Sequence, residues 1–69
     1  MSFLIINGTQ RQFDDRMPAD IAALLAELNI ASATVIAELD GEIIPRKDFA
    51  ATKLQPGQKL ELVRFVGGG

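Results

Sequence analysis

Histidine and cysteine, the side chains that most often supply acid-base, nucleophilic or zinc-binding groups near neutral pH, are both absent from this chain of 69 residues. The remaining chemistry lies in scattered carboxylates and in the C-terminal run Gly67-Gly68-Gly69. Glycine has no side chain to react, so the group on offer there is the α-carboxylate of Gly69. Three extended residues reach about 10 Å, and without Cβ atoms they make a thin and conformationally free segment. Such an end suits delivery of a carboxylate into another protein's narrow channel. A bare glycine run is also what a frayed terminus or a linker looks like, so the residues upstream must decide. Asp14 and Asp15 are adjacent carboxylates, but neighbouring side chains diverge in an extended chain; they read as a solvated turn, and no metal site is expected. Arg46-Lys47 reads as surface charge.

The elements that position a reactive end must come from one small domain, since a chain of about 60 residues buries only about 60% of its unfolded surface. Hydrophobic residues make up 48% and charged residues 23%, too apolar for disorder. With no cysteine there are no disulfides, and the fold rests on packing. Seven basic and nine acidic residues are spread along the chain for a net charge of −2, so no basic stripe speaks for nucleic acid. Met1-Ser2-Phe3-Leu4-Ile5-Ile6 lacks the basic start and long apolar run of a signal peptide, and no run approaches membrane-spanning length. The expectation is a cytoplasmic protein without nucleic-acid or membrane partners.

Along the chain, Phe3 to Ile6 reads as a strand, Asn7-Gly8 as a tight hairpin turn, and Thr9 to Phe13 as the return strand. A helix is predicted from Pro18 to about Leu28, with Pro18 at its first position and Asp20 in the first turn, facing the positive end of the helix dipole. Ile21, Leu24, Leu25 and Leu28 give it one apolar stripe, and Asn29 is its stop. Val35 to Leu39 is the next strand, and Asp40-Gly41 turns into Glu42-Ile43-Ile44, which Pro45 ends or confines to a sheet edge. Arg46 to Lys53 reads as a loop with a single helical turn, Gln55-Pro56-Gly57-Gln58 as a type II turn, and Lys59 to Val66 as the last strand.

A helix with one apolar stripe covers one face of a sheet, giving a two-layer α+β domain. Period 2 sends Leu60 and Leu62 toward the helix and Glu61, Val63 and Phe65 away from it. The same alternation puts Leu4 and Ile6 inward and Phe3 and Ile5 outward. If the first and last strands are neighbours, Phe3, Ile5, Val63 and Phe65 form an apolar patch on the uncovered face, a partner surface. Arg64, on the other parity, lies under the helix edge, pairs with a carboxylate or contacts a partner.

Several segments match one family in order and at the right length: Ile6-Asn7-Gly8, the Ile21-to-Leu28 helix, Glu38-Leu39-Asp40-Gly41-Glu42-Ile43-Ile44-Pro45-Arg46, Pro56-Gly57, and Leu62-Val63-Arg64-Phe65-Val66-Gly67-Gly68-Gly69. The chain resembles the ThiS-type sulfur carriers of thiamin biosynthesis, within the ubiquitin-like β-grasp superfamily. Met17 departs from the capping Ser or Thr of many relatives, and Phe3 is large for its position. The resemblance implies a mixed four- to five-stranded sheet with one helix packed across one face, a domain over residues 1–66, and a flexible Gly-Gly-Gly tail over residues 67–69.

It also implies a protein co-substrate and not a catalyst. The chain itself would bind no cofactor; a ThiF-like adenylyltransferase would use ATP and magnesium to activate the Gly69 carboxylate. A free α-carboxyl ionises near ~3.5 and so resists nucleophiles at pH 7. Adenylation supplies AMP as a leaving group, sulfur from a persulfide donor displaces it, and the resulting thiocarboxylate on Gly69 serves a ThiG-like thiazole synthase. Gly67 and Gly68 give reach and thinness, while Val63, Phe65, Phe3, Ile5 and Arg64 are the candidate partner contacts. The alternatives are a sulfur carrier for another pathway, molybdopterin-like or other, a ubiquitin-like covalent modifier, and a noncovalent binding module.

Overall fold

The computed structural model describes residues 2–14 and 16–64. Two hairpins are set by turn chemistry. Strand β1 (Ser2–Ile6) and strand β2 (Thr9–Phe13) pair antiparallel across Asn7-Gly8, and β3 (Val35–Leu39) and β4 (Glu42–Ile44) do so across Asp40-Gly41. In each turn both central residues take positive φ, 51° and 81° in the first and 50° and 88° in the second. Asn, Asp and Gly tolerate that region, and its twist matches that of the flanking strands. Strand β5 (Lys59–Arg64) then enters between the hairpins, parallel to β1 and antiparallel to β3, for a mixed five-stranded sheet in the order β2-β1-β5-β3-β4.

Helix α1 (Ile21–Glu27) starts later than the sequence pattern suggests. Asp20 is the N-cap itself, in extended backbone, and its Oδ1 accepts from the Ala23 N–H at 2.8 Å. Pro18 therefore lies ahead of the helix and not at its first position. The reason is competition for the backbone just before the cap. Ala19 C=O accepts from Leu54 N–H at 3.0 Å, and Asp20 bridges to Lys53, so this stretch is committed to an extended pairing with residues 52–54. At the other end Asn29 has φ 61°, with its N–H on Ala26 C=O and the Ile30 N–H on Leu25 C=O. That pair of bonds is a Schellman stop, which satisfies the last helical carbonyls.

The helix buries Ile21, Leu24 and Leu25 in one cluster with Leu4, Ala37, Leu60 and Leu62 from the sheet. Short 3-10 turns at Ser32–Thr34 and Arg46–Ala51 close the ends of this layer, and the second adds Phe49 to the core. The predicted parities hold: Leu4, Leu60 and Leu62 are buried, and Ile6 packs against them from a half-buried position. The two sheet edges differ from this interior. Thr9, Gln10, Arg11 and Gln12 of β2 are all exposed, and β4 has three residues before Pro45.

Candidate functional site

Strand β5 is the last described element before the glycines. At its start, the Asp40 turn clamps it. Asp40 N–H donates to Lys59 C=O at 2.8 Å, Lys59 N–H donates to Asp40 Oδ1 at 3.0 Å, and Gln58 Nε2 donates to Asp40 Oδ2 at 3.0 Å. Midway, the Leu60 side chain is fully buried and its C=O accepts from Asn7 N–H at 2.9 Å. One residue pair further, Leu62 N–H donates to Asn7 Oδ1 at 2.7 Å and Asn7 Nδ2 donates to Leu62 C=O at 3.2 Å. The strand then runs to Arg64, opposite Val35. Phe65, Gly67, Gly68 and Gly69 lie outside the described residues.

The uncovered face of the sheet carries an apolar patch, but not with the predicted membership. Val63 is exposed, as expected, and faces Ile36 directly across the β3–β5 pair. Ile43 of β4 stands diagonally from Ile36, and these three are the exposed large hydrophobic residues among those described, at 58%, 46% and 63% exposure. Phe3 and Ile5 are only half-buried, yet they sit at the opposite end of the face. The parallel register pairs Ile5 with Lys59, and Phe3 C=O accepts from Gly57 N–H at 2.7 Å. Val63 is four strand positions beyond Lys59, about 13 Å at the rise of a strand. Among the described members the predicted cluster fails because the parallel register sets Ile5 opposite Lys59 and Ile6 opposite Leu60, leaving Phe3 and Ile5 level with the start of β5 and Val63 near its end.

Ile36 and Ile43 escaped the sequence reading, although a signal was available. In Val35–Leu39 the buried residues are Val35, Ala37 and Leu39, so period 2 turns Ile36 outward. Beside the patch, Val35, Ile36, Ile43, Ile44, Pro45 and Arg46 help to line an open hollow of about 380 Å³. Arg64 is exposed. Asp14 is exposed as well, its neighbour Asp15 is outside the described residues, and no group of three or more potential metal ligands occurs among those described. Among the described residues no helix is long and apolar enough to cross a membrane.

This geometry supplies a held strand and an apolar face, with no catalytic constellation among the described residues. A model of the ThiS family matches residues 4–69. A thiazole synthase of Paramagnetospirillum magneticum is 42% identical over 66 residues, covering 96% of this chain but 20% of that protein, so the chain spans about a fifth of this relative. The protein ycf40 of Pyropia yezoensis is 36% identical over 64 residues, covering 93% of this chain and 87% of its own length. Among solved structures, the crystal structure of the thiamine biosynthesis protein ThiS from Geobacter metallireducens aligns at a TM-score of 0.83 and 34% identity, covering 97% of this chain and 99% of that one. The solution structure of a thiamine biosynthesis protein from the same organism aligns at 0.80, again at 34% identity, over 100% and 88% of the two chains. The mixed five-stranded sheet with its single helix is thus the β-grasp of those structures, and the chain belongs to the ThiS family of ubiquitin-like sulfur carriers of thiamin biosynthesis.

Proposed function

We propose that the chain carries sulfur as a thiocarboxylate on Gly69, as a co-substrate of partner enzymes, and that residues 1–66 form the domain that presents a tail of residues 67–69. The observation that carries this reading is the extent of the family match, which runs through the terminal glycines. In the proposed cycle a ThiF-like adenylyltransferase, with ATP and magnesium, joins the Gly69 carboxylate to AMP and releases pyrophosphate. The terminal sulfur of a persulfide then attacks the acyl carbon and expels AMP. A thiol cleaves the resulting acyl disulfide, so the carrier leaves with one sulfur and the donor side keeps a disulfide. A ThiG-like thiazole synthase is the proposed recipient, supported by the 42% identity to a segment of a thiazole synthase.

Intact-mass spectrometry tests the cycle. After incubation with ATP, the adenylyltransferase and a persulfide source, the expected product has one oxygen replaced by sulfur at the C-terminus. An unchanged mass with an enzyme that loads a known carrier would refute it. An isopeptide-linked conjugate would instead identify a covalent modifier.

For docking, the proposed surface is Val63 with Ile36 and Ile43, continued by Arg64 and Phe65; Phe3 and Ile5 offer a separate contact at the far end of the same face. Ile36→Lys and Val63→Lys, made singly, should fold normally because both side chains are exposed. Each should weaken association with the thiazole synthase by about tenfold or more, as loss of an apolar anchor does at interfaces. Titration calorimetry reads the change; an undiminished affinity would move the interface elsewhere.

A further inference from the structure

We propose that Asn7 is a positioning residue for the C-terminal reaction, its carboxamide standing in for a missing strand residue beside Leu62 and holding β5 on its line toward Gly69. This rests on the carrier reading above. The parallel contact of β1 with β5 is short, with Ile5 opposite Lys59 and Ile6 opposite Leu60. Its rungs are Ile5 N–H to Gln58 C=O at 3.0 Å and Asn7 N–H to Leu60 C=O at 2.9 Å. The next rung needs an acceptor for Leu62 N–H and a donor for Leu62 C=O, but the β1 backbone has already turned back, at φ 51° for Asn7 and 81° for Gly8.

The Asn7 side chain supplies both groups, accepting at 2.7 Å through Oδ1 and donating at 3.2 Å through Nδ2. A carboxamide is a peptide group in miniature, with an acceptor and a donor side by side. The two Leu62 groups also fix which way round the amide sits, since the reverse orientation would set donor against donor. Asparagine therefore answers two demands at one position: it tolerates the left-handed turn, and it extends the sheet by one rung. Without that rung the outer part of β5 would be held on one side only, by Ile36 opposite Val63 and Val35 opposite Arg64. The fully buried Leu60 anchors the strand before this point. The Asn7 carboxamide thus acts past that anchor, at Leu62 and on the exit of the strand.

Asn7→Gly deletes the carboxamide and keeps access to positive φ, while Asn7→Asp keeps an acceptor for Leu62 N–H and removes the donor. Both are compared with the parent chain in ATP–pyrophosphate exchange catalysed by a ThiF-like adenylyltransferase, with carrier concentration varied, and in amide hydrogen exchange at Leu62. For Asn7→Gly the expected result is faster exchange at Leu62, with the KM for the carrier raised about fivefold to tenfold and kcat within about twofold, because a looser exit strand weakens productive docking and leaves the chemical step alone. Asn7→Asp should fall between Asn7→Gly and the parent. A folded Asn7→Gly with the parental KM would overturn the proposal, as would an Asn7→Gly that cannot fold, since the carboxamide would then serve the domain and not the exit. Absence of pyrophosphate exchange with the parent chain would overturn the carrier reading, and the positioning role with it.

Discussion

Gly68→Val is expected to leave the thermal unfolding of the domain unchanged and to lower the rate of C-terminal adenylation by about 100-fold or more, the loss that a misplacement of about 1 Å can cause in a positioned reaction. The first half follows from the architecture. Among the described residues the buried cluster runs from Leu4 to Leu62, and position 68 follows Arg64, the last of them, in sequence. The second half follows from what a side chain adds. Valine brings a branched Cβ that widens the segment and closes backbone conformations open to glycine, so the carboxylate one residue later loses both clearance and reach. Circular dichroism during heating and ATP–pyrophosphate exchange separate the two effects. Parental exchange rates from Gly68→Val would mean that no narrow channel receives the tail, and the case for glycine at 68 would collapse. A variant lacking residues 67–69 gives the floor of the assay.

The converse change is Leu60→Ala, which should destabilise the domain by about 3 to 5 kcal/mol, the range for emptying a fully buried leucine site. Leu60 is 0% exposed, opposite Leu39 on one side and bonded to Asn7 on the other, in the middle strand of the sheet. A domain of this size has a total stability of about 3 to 10 kcal/mol, so this variant would be largely or wholly unfolded. Val63→Ala, two residues on but 58% exposed, should cost about 0.5 kcal/mol or less. The chain has no Trp or Tyr, so urea titration followed by far-ultraviolet circular dichroism is the suitable probe. A loss under about 1 kcal/mol for Leu60→Ala would contradict a core centred on β5. Loading of this variant should fall in step with its folded fraction, unlike that of Gly68→Val.

Much of this fold is legible in local chemistry. Asn7-Gly8 and Asp40-Gly41 announce their hairpins because few residue pairs accept two positive φ values in succession. The stripe of Ile21, Leu24 and Leu25 marks the helix face, and alternation in Lys59–Arg64 assigns Leu60 and Leu62 to the core. The illegible parts depend on which segments meet in space. Asp20 caps the helix because Ala19 is bonded to Leu54, a partner far along the chain. Val63 faces Ile36 and lies far from Phe3 because β1 and β5 run parallel with Ile5 opposite Lys59, and no spacing within either strand encodes that register. The pair of hydrogen bonds between the Asn7 side chain and the Leu62 backbone is hidden in the same way, behind a residue whose turn chemistry already accounts for its presence.

The two outer strands decide how the molecule behaves when crowded against copies of itself. A sheet grows into a polymer by accepting a further strand along a bare edge, and long apolar edges invite it. On one side β2 offers Thr9, Gln10, Arg11 and Gln12, whose exposed polar side chains hold water and, at Arg11, a charge that repels its own kind. On the other, β4 is three residues long and meets Pro45, which has no N–H to donate to an incoming backbone. Strands β1, β5 and β3, which supply Leu4, Leu60, Leu62 and Ala37 to the core, are paired on both sides. Both described edges therefore oppose fibre growth by strand addition.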